Sequence, residues 1–133
     1  MRTIYLILKE DIIFYPPVLS IINVLLDLGY KVVHIGDFSD DEQKKDLEKR
    51  GVEFLPTIRY NIKVSILKKI YQQFKFKYQV ISYLKQRNIT DNEYVWIFKS
   101  ENLCLLDKLP YQYNTIVHQF EFDNPTLNWK YRL

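Results

Sequence analysis

Short apolar runs alternate with amphipathic stretches along this chain. Thr3–Leu8 ("TIYLIL") is a continuous apolar run of strand formers, the pattern of a strand buried on both faces. "PPVLSIINVLLDLG" follows and reads as a helix, with prolines at its first turn and Gly29 at its C-terminal end. Leu19, Ile22, Leu25 and Leu26 share one face of it, and so little polar surface remains that a well-buried helix is expected. "KVVHIG" is a second strand. "SDDEQKKDLEKRG" is a polar helix with Ser39 as the expected N-cap and acids in its first turn. "VEFL" is a third strand, stopped by Pro56. A long helix is expected over Ile62 to Arg87, then strand four at "EYVWIF" (Glu93 to Phe98). "SENLCLLDKL" reads as a short helix capped by Ser100, and "NTIVH" as strand five.

Strands alternating with helices imply parallel βαβ units. The expected fold class is α/β: a three-layer Rossmann-like domain, with a five-stranded parallel sheet of order 3-2-1-4-5 and helices on both faces. Residues 1–133 fit one such domain, expected to be the N-terminal part of a longer two-domain protein. In sheets of this kind ligands sit outside the carboxyl ends of the strands. The residues delivered to that rim are Lys9, Glu10 and Asp11 from strand one, Gly36 and Asp37 from strand two, and Thr57, Arg59 and Tyr60 from strand three. Strand four brings Lys99, Ser100 and Glu101, and strand five His118, Gln119 and Glu121.

Composition narrows the chemistry. A hydrophobic fraction of 47 %, with 11 Tyr and 8 Phe, supplies a core. The net charge is only +3, and no RNA- or DNA-binding motif is present, so no nucleic-acid partner is expected. The single cysteine, Cys104, makes no internal disulfide and no zinc spacing, which points to a reducing, cytoplasmic setting without a metal site. No segment approaches the length of an apolar spanning helix. The three glycines, at 29, 36 and 51, form neither a Gly-x-Gly-x-x-Gly fingerprint nor a Walker A loop, and no cofactor is expected.

Two stretches stand out. In "TIVHQFEFDN" an apolar strand hands over at once to His118, Glu121 and Asp123. A histidine at a strand end can serve as acid, base or hydrogen-bond donor, and is also ordinary in a polar loop. His34, inside strand two, reads as a satisfied core or edge histidine, and Ser100 as a cap rather than a nucleophile. The second stretch is the long helix. Residues 63–87 hold seven basic side chains and no acid. Leu67, Ile70, Tyr71, Phe74, Tyr78 and Ile81 repeat at helical spacing and read as its core-facing stripe. Phe76, Val80 and Tyr83, with Lys69 and Arg87 alongside, read as an outward stripe that either awaits an anionic membrane surface or a partner, or packs on the chain's own loop around Tyr60.

The order of these elements resembles the N-terminal domain of GT-B-fold glycosyltransferases of the family-4-like kind. The likeness is carried by "YPPVLSIINVLLDLGYKVVHIG" with its step through Gly29 into strand two, by "RGVEFLP", by "DNEYVWIFKSE", and by "TIVHQFEFDN", which is similar to a strand end of the form [IV]-[IV]-x-H-x-x-E. The resemblance implies the acceptor side of a sugar-transfer cleft, with His118 facing the transferred sugar and acceptor and Glu121 as the acid after it. Lys9, Glu10, Asp11, Lys99 and Ser100 would line the same cleft. It further implies a nucleotide-sugar donor and a glycan or lipid-linked acceptor. A missing C-terminal domain would hold the donor, leaving this chain inactive alone, with residence in the cytoplasm or peripherally at the inner membrane face. The loop "KEDIIFYPP" departs from the family in having no glycine to approach donor phosphates. The competing expectation is a stand-alone α/β module that binds or docks without catalysis.

Overall fold

The structure is a computed structural model, and it describes residues 2–61, 63–87, 93–98 and 114–118. Five parallel strands form one sheet: β1 (Thr3–Leu8), β2 (Lys31–Gly36), β3 (Glu53–Pro56), β4 (Tyr94–Phe98) and β5 (Asn114–His118). Their order is β3-β2-β1-β4-β5, as expected. The register sets Leu8 against Gly36, Gly36 against Pro56, and Phe98 against His118, so the strands end together along one carboxyl edge.

Successive residues of a strand point to opposite faces, and each face has its own helices. Ile4, Leu6, Leu8 and Val32 pack against Val18, Ile22 and Leu25 of α1 (Pro16–Asp27) and Leu47 of α2 (Asp41–Lys49). Tyr5, Ile7, Val33, Ile35, Val95 and Ile97 pack against Phe76, Val80 and Leu84 of α3 (Ile66–Gln86). Both faces of β1 and β2 are covered, which is why those strands are continuous apolar runs rather than alternating ones.

Local chemistry differs from expectation in three places. The N-cap of α2 is Asp40, whose carboxylate accepts from the Gln43 N–H at 3.1 Å. Ser39 instead turns its N–H to Asp11. α1 is less enclosed than its composition suggests, with Val24 and Leu28 exposed. The largest correction concerns α3, whose two stripes are exchanged except at Ile81, which packs against the core as expected. Gln72, Phe76, Val80 and Leu84 are buried, while Ile66, Leu67, Ile70, Tyr71, Phe74 and Tyr78 are exposed. Phe76 and Val80 therefore belong to the core and not to an outward contact surface. Tyr83 donates its hydroxyl to the Pro56 carbonyl at 2.7 Å, and Arg87 pairs with Glu53 at 2.9 Å, so both tie α3 to β3.

The polar residues of α3 explain the exchange. Gln72 accepts from the Asn61 N–H at 2.6 Å and donates to the Asn61 carbonyl, and Gln79 accepts from the Ile58 N–H at 2.8 Å. These amides satisfy backbone groups of the segment joining β3 to α3, groups that would otherwise be costly to bury. A stripe containing glutamine is thus the inner one. The expected short helix at Ser100 to Leu109 lies outside the described residues.

Candidate cleft at the carboxyl edge of the sheet

The carboxyl edge carries a cavity of about 580 Å³. Its walls come from the segment after β1 (Glu10, Asp11, Ile13, Phe14, Tyr15), the segment after β2 (Asp37, Ser39) and the segment after β3 (Arg59, Tyr60, Asn61, Lys63). The volume falls within the range of small-molecule sites.

Asp11 organises the first wall. One carboxylate oxygen accepts from the Ile13 N–H at 3.1 Å and starts the 3-10 turn Ile12–Phe14. Both of its oxygens accept from the Ser39 N–H at 3.2 Å. The Ile12 N–H donates to the Asp37 carbonyl at 3.3 Å, so the first and second segments are stitched side by side. Ile12 drops into the core while Ile13 and Phe14 stay at the surface, leaving Phe14 as an exposed aromatic wall of the cleft. Pro16 and Pro17 then start α1 without needing backbone donors.

The third segment is held by charge. Arg59 grips Asp37 through two hydrogen bonds, at 3.0 and 3.3 Å. That carboxylate raises the guanidinium pKa above its ordinary value, through the hydrogen bond first and its charge second. Tyr60 is positioned from beneath by Lys9, whose ammonium lies 4.1 Å from the ring centroid. Lys9 also donates to Gln73 of α3 at 2.9 Å and lies 3.9 Å from Glu10.

The expected site residues divide accordingly. Glu10 and Asp11 line the cavity. Lys9 is buried and directed toward α3, so it acts on the cleft through Tyr60 rather than as a wall. The backbone of His118 ends β5 at the same edge, two strands away from β1. Lys99, Ser100 and Glu121 lie outside the described residues. Sequence reading did not select Ile13, Phe14, Tyr15, Asn61 or Lys63 as walls. The signal available for the first three was an apolar-aromatic run placed after the acids and before two prolines, at a strand end. Among the described residues no group of His, Cys, Asp and Glu could hold a metal ion, and no helix is long and apolar enough to cross a membrane.

His34 sits behind this edge, on the α2 side of the sheet. It is fully enclosed, edge-on to Phe54 with ring centroids 5.6 Å apart, and its Nε2 has no hydrogen-bond partner among the described residues. It is a core histidine, as the sequence implies, but not a fully satisfied one. Burial pushes its pKa down to about 3; Lys44 adds to the shift and Asp11 opposes it. The folded protein therefore holds His34 neutral, while the unfolded chain takes up a proton below the ordinary histidine value. This group costs nothing above that value. It destabilises progressively as pH falls from 6.5 toward about 3, where the folded form protonates too. Between neutral pH and about pH 4.5 the wild type should lose about 2–3 kcal/mol more stability than His34→Leu, measured by urea unfolding of both. Equal acid sensitivity in the two proteins would refute this account.

No protein-family model matches the chain, and no curated protein matches it in sequence. Two crystal structures of the C-terminal domain of a hydrogenase from Pyrococcus furiosus share its fold. They superpose with TM-scores of 0.56 and 0.58 at 16 % identity, each over 88 % of this chain and 91 % of that one. At that identity the likeness concerns architecture: this chain is similar to that domain in its Rossmann-like α/β fold.

Proposed function

We propose that this chain is the acceptor-side domain of a GT-B-type glycosyltransferase. It would present a glycan or lipid-linked acceptor to a sugar carried on a nucleotide held by a second domain. The observation that carries the proposal is the make-up of the cleft. It combines aromatic side chains (the exposed Phe14 and the half-buried Tyr60) with carboxylates (Glu10, Asp11, Asp37) at the carboxyl edge of a 3-2-1-4-5 sheet. Carboxylates accept hydrogen bonds from hydroxyl groups, and aromatic faces pack on the apolar faces of sugar rings. The strand-one loop has no glycine to let its backbone approach nucleotide phosphates, which supports an acceptor role over a donor one. In this reading His118 and Glu121 serve the acceptor end of the reaction. The reading includes peripheral residence at the inner face of a membrane, where lipid-linked acceptors lie.

Transfer requires donor and acceptor to be held in register. The domain alone should bind saccharides weakly, with Kd on the order of millimolar, and turn nothing over. Saturation-transfer NMR on the full chain, with a panel of mono- and oligosaccharides, UDP-glucose and NADH, tests this. The expected result is saccharide signal that disappears in Phe14→Ala, with none from NADH. NADH signal lost in Phe14→Ala, without any saccharide signal, would overturn the transferase reading in favour of a dinucleotide-binding module.

A further inference from the structure

The outward face of α3 is an apolar ridge fringed by lysine, and nothing in the proposed sugar chemistry uses it. Leu67, Tyr71, Phe74 and Tyr78 follow one another at spacings of four, three and four, with Ile66 and Ile70 beside them. Leu67 is 80 % exposed and Phe74 66 %. At 100° per residue Lys68 and Lys75 run along one flank of the ridge and Lys77 along the other, while Lys85 lies on the axis of the ridge itself, in line with Leu67. Lys75 leans on Tyr71, its Nζ 3.5 Å from the hydroxyl. Residues 63–87 carry seven basic groups and no acid in a chain of net charge +3, so the remainder of the chain is net acidic.

We infer that this ridge docks on an anionic lipid surface, with α3 lying in the plane of the interface. Charge complementarity selects the occupant. A ridge of aliphatic and aromatic side chains fringed by lysine matches the boundary between acyl chains and anionic headgroups, where tyrosine rings also partition. A second copy fits worse, because a two-fold interface through this ridge would bring the two lysine fringes together. The acidic remainder of the chain is repelled by the same surface, which favours one orientation.

That orientation has a consequence for the cleft. Arg87 meets Glu53 at the start of β3, Gln79 meets Ile58, and Gln72 meets Asn61, so α3 runs antiparallel to the strands. Its first turns therefore begin beside the carboxyl edge, close to Asn61 and Lys63 of the cleft wall. Docking through Ile66, Leu67 and Ile70 holds the rim of the cleft next to the headgroups. The docking argument stands apart from the transferase reading, since it uses no residue of the cleft.

Co-sedimentation of the 133-residue chain with vesicles tests it. The probes are phosphatidylcholine alone and phosphatidylcholine with about a third phosphatidylglycerol, a content that supplies a strongly anionic surface. The wild type should bind the anionic vesicles, release as salt is raised, and ignore the neutral ones. Leu67→Ser with Phe74→Ser, and separately Lys68→Glu with Lys75→Glu, should each weaken binding by about tenfold or more. Both pairs are exposed, and unchanged circular dichroism and unfolding midpoint would show the fold intact. Absence of wild-type binding, or full binding by either double variant, would overturn the proposal. So would a salt-insensitive dimer that Phe74→Ser dissociates, since the ridge would then belong to a second copy. Vesicle binding requires no sugar, so its failure would remove membrane residence from the reading above but leave acceptor binding by the cleft, which the saccharide experiment tests separately.

Discussion

Gly36→Ala is expected to destabilise the protein by about 3–5 kcal/mol. Gly36 ends β2 with φ of 156°, in a region that side chains other than hydrogen rarely adopt. A β-carbon there would run into the carbonyl oxygen of Leu8, its neighbour on β1, and lie 3.0 Å from the Nε2 of His34. Neither neighbour has room to yield. Leu8 is fully buried in the central strand, and His34 is enclosed against Phe54. The damage would fall on the strand ends from which the Asp11, Asp37 and Arg59 segments depart. Gly51→Ala is the control. Gly51 also has positive φ, at 100°, but a β-carbon there meets nothing within 4 Å, so its cost should be only about 1 kcal/mol. Urea unfolding of both variants decides the matter. Equal costs would mean that the close approach of β1 to Gly36 is not what constrains this position.

Phe76→Ala should cost about 3–5 kcal/mol, while Phe74→Ala, two residues earlier, should change stability by less than about 0.5 kcal/mol. Phe76 is 1 % exposed and packs on Ile7, Ile35 and Ile97 across the sheet. Its removal leaves a cavity between helix and sheet that neighbouring β-branched side chains, stiff at χ1, fill poorly. Phe74 loses only surface that already meets water. The pair is a direct test of the orientation of α3, because the opposite assignment of its stripes predicts the opposite order. Thermal or urea denaturation of the two variants in parallel would show which side chain is the core one. A larger cost for Phe74→Ala would also remove the basis for lipid docking through that ridge.

The limits of the sequence are visible in α3. Both of its stripes are apolar and aromatic, both repeat at helical spacing, and both have lysines nearby. Periodicity alone ranks the stripe with more large apolar residues as the core one. What decides the orientation is the segment between β3 and α3. Its backbone at Ile58 and Asn61 needs partners, and Gln79 and Gln72 supply them only if their side of the helix faces inward. A glutamine that would count as a solvent marker is here a backbone cap reached across eleven residues or more, a pairing no local pattern encodes. Lys9 is a parallel case. A lysine at a strand end reads as a ligand contact, yet tertiary placement beneath Tyr60 and beside Gln73 makes it a support for the cleft wall.

By itself, the sequence determined the architecture. Continuous apolar runs require strands covered on both faces, amphipathic stretches between them require crossover helices, and order 3-2-1-4-5 is one of the few orders such units wind into, the one the structure shows. It also determined which edge holds the cleft, because parallel strands bring all their carboxyl-end residues to one side. Which of those residues form walls, and which face of α3 remains bare, was decided only by the tertiary structure. Both depend on hydrogen bonds between segments distant in the chain: Asp11 to Ser39, Arg59 to Asp37 and Gln72 to Asn61. A polar side chain carries no local mark of whether its partner will be water or a backbone group brought to it by the fold.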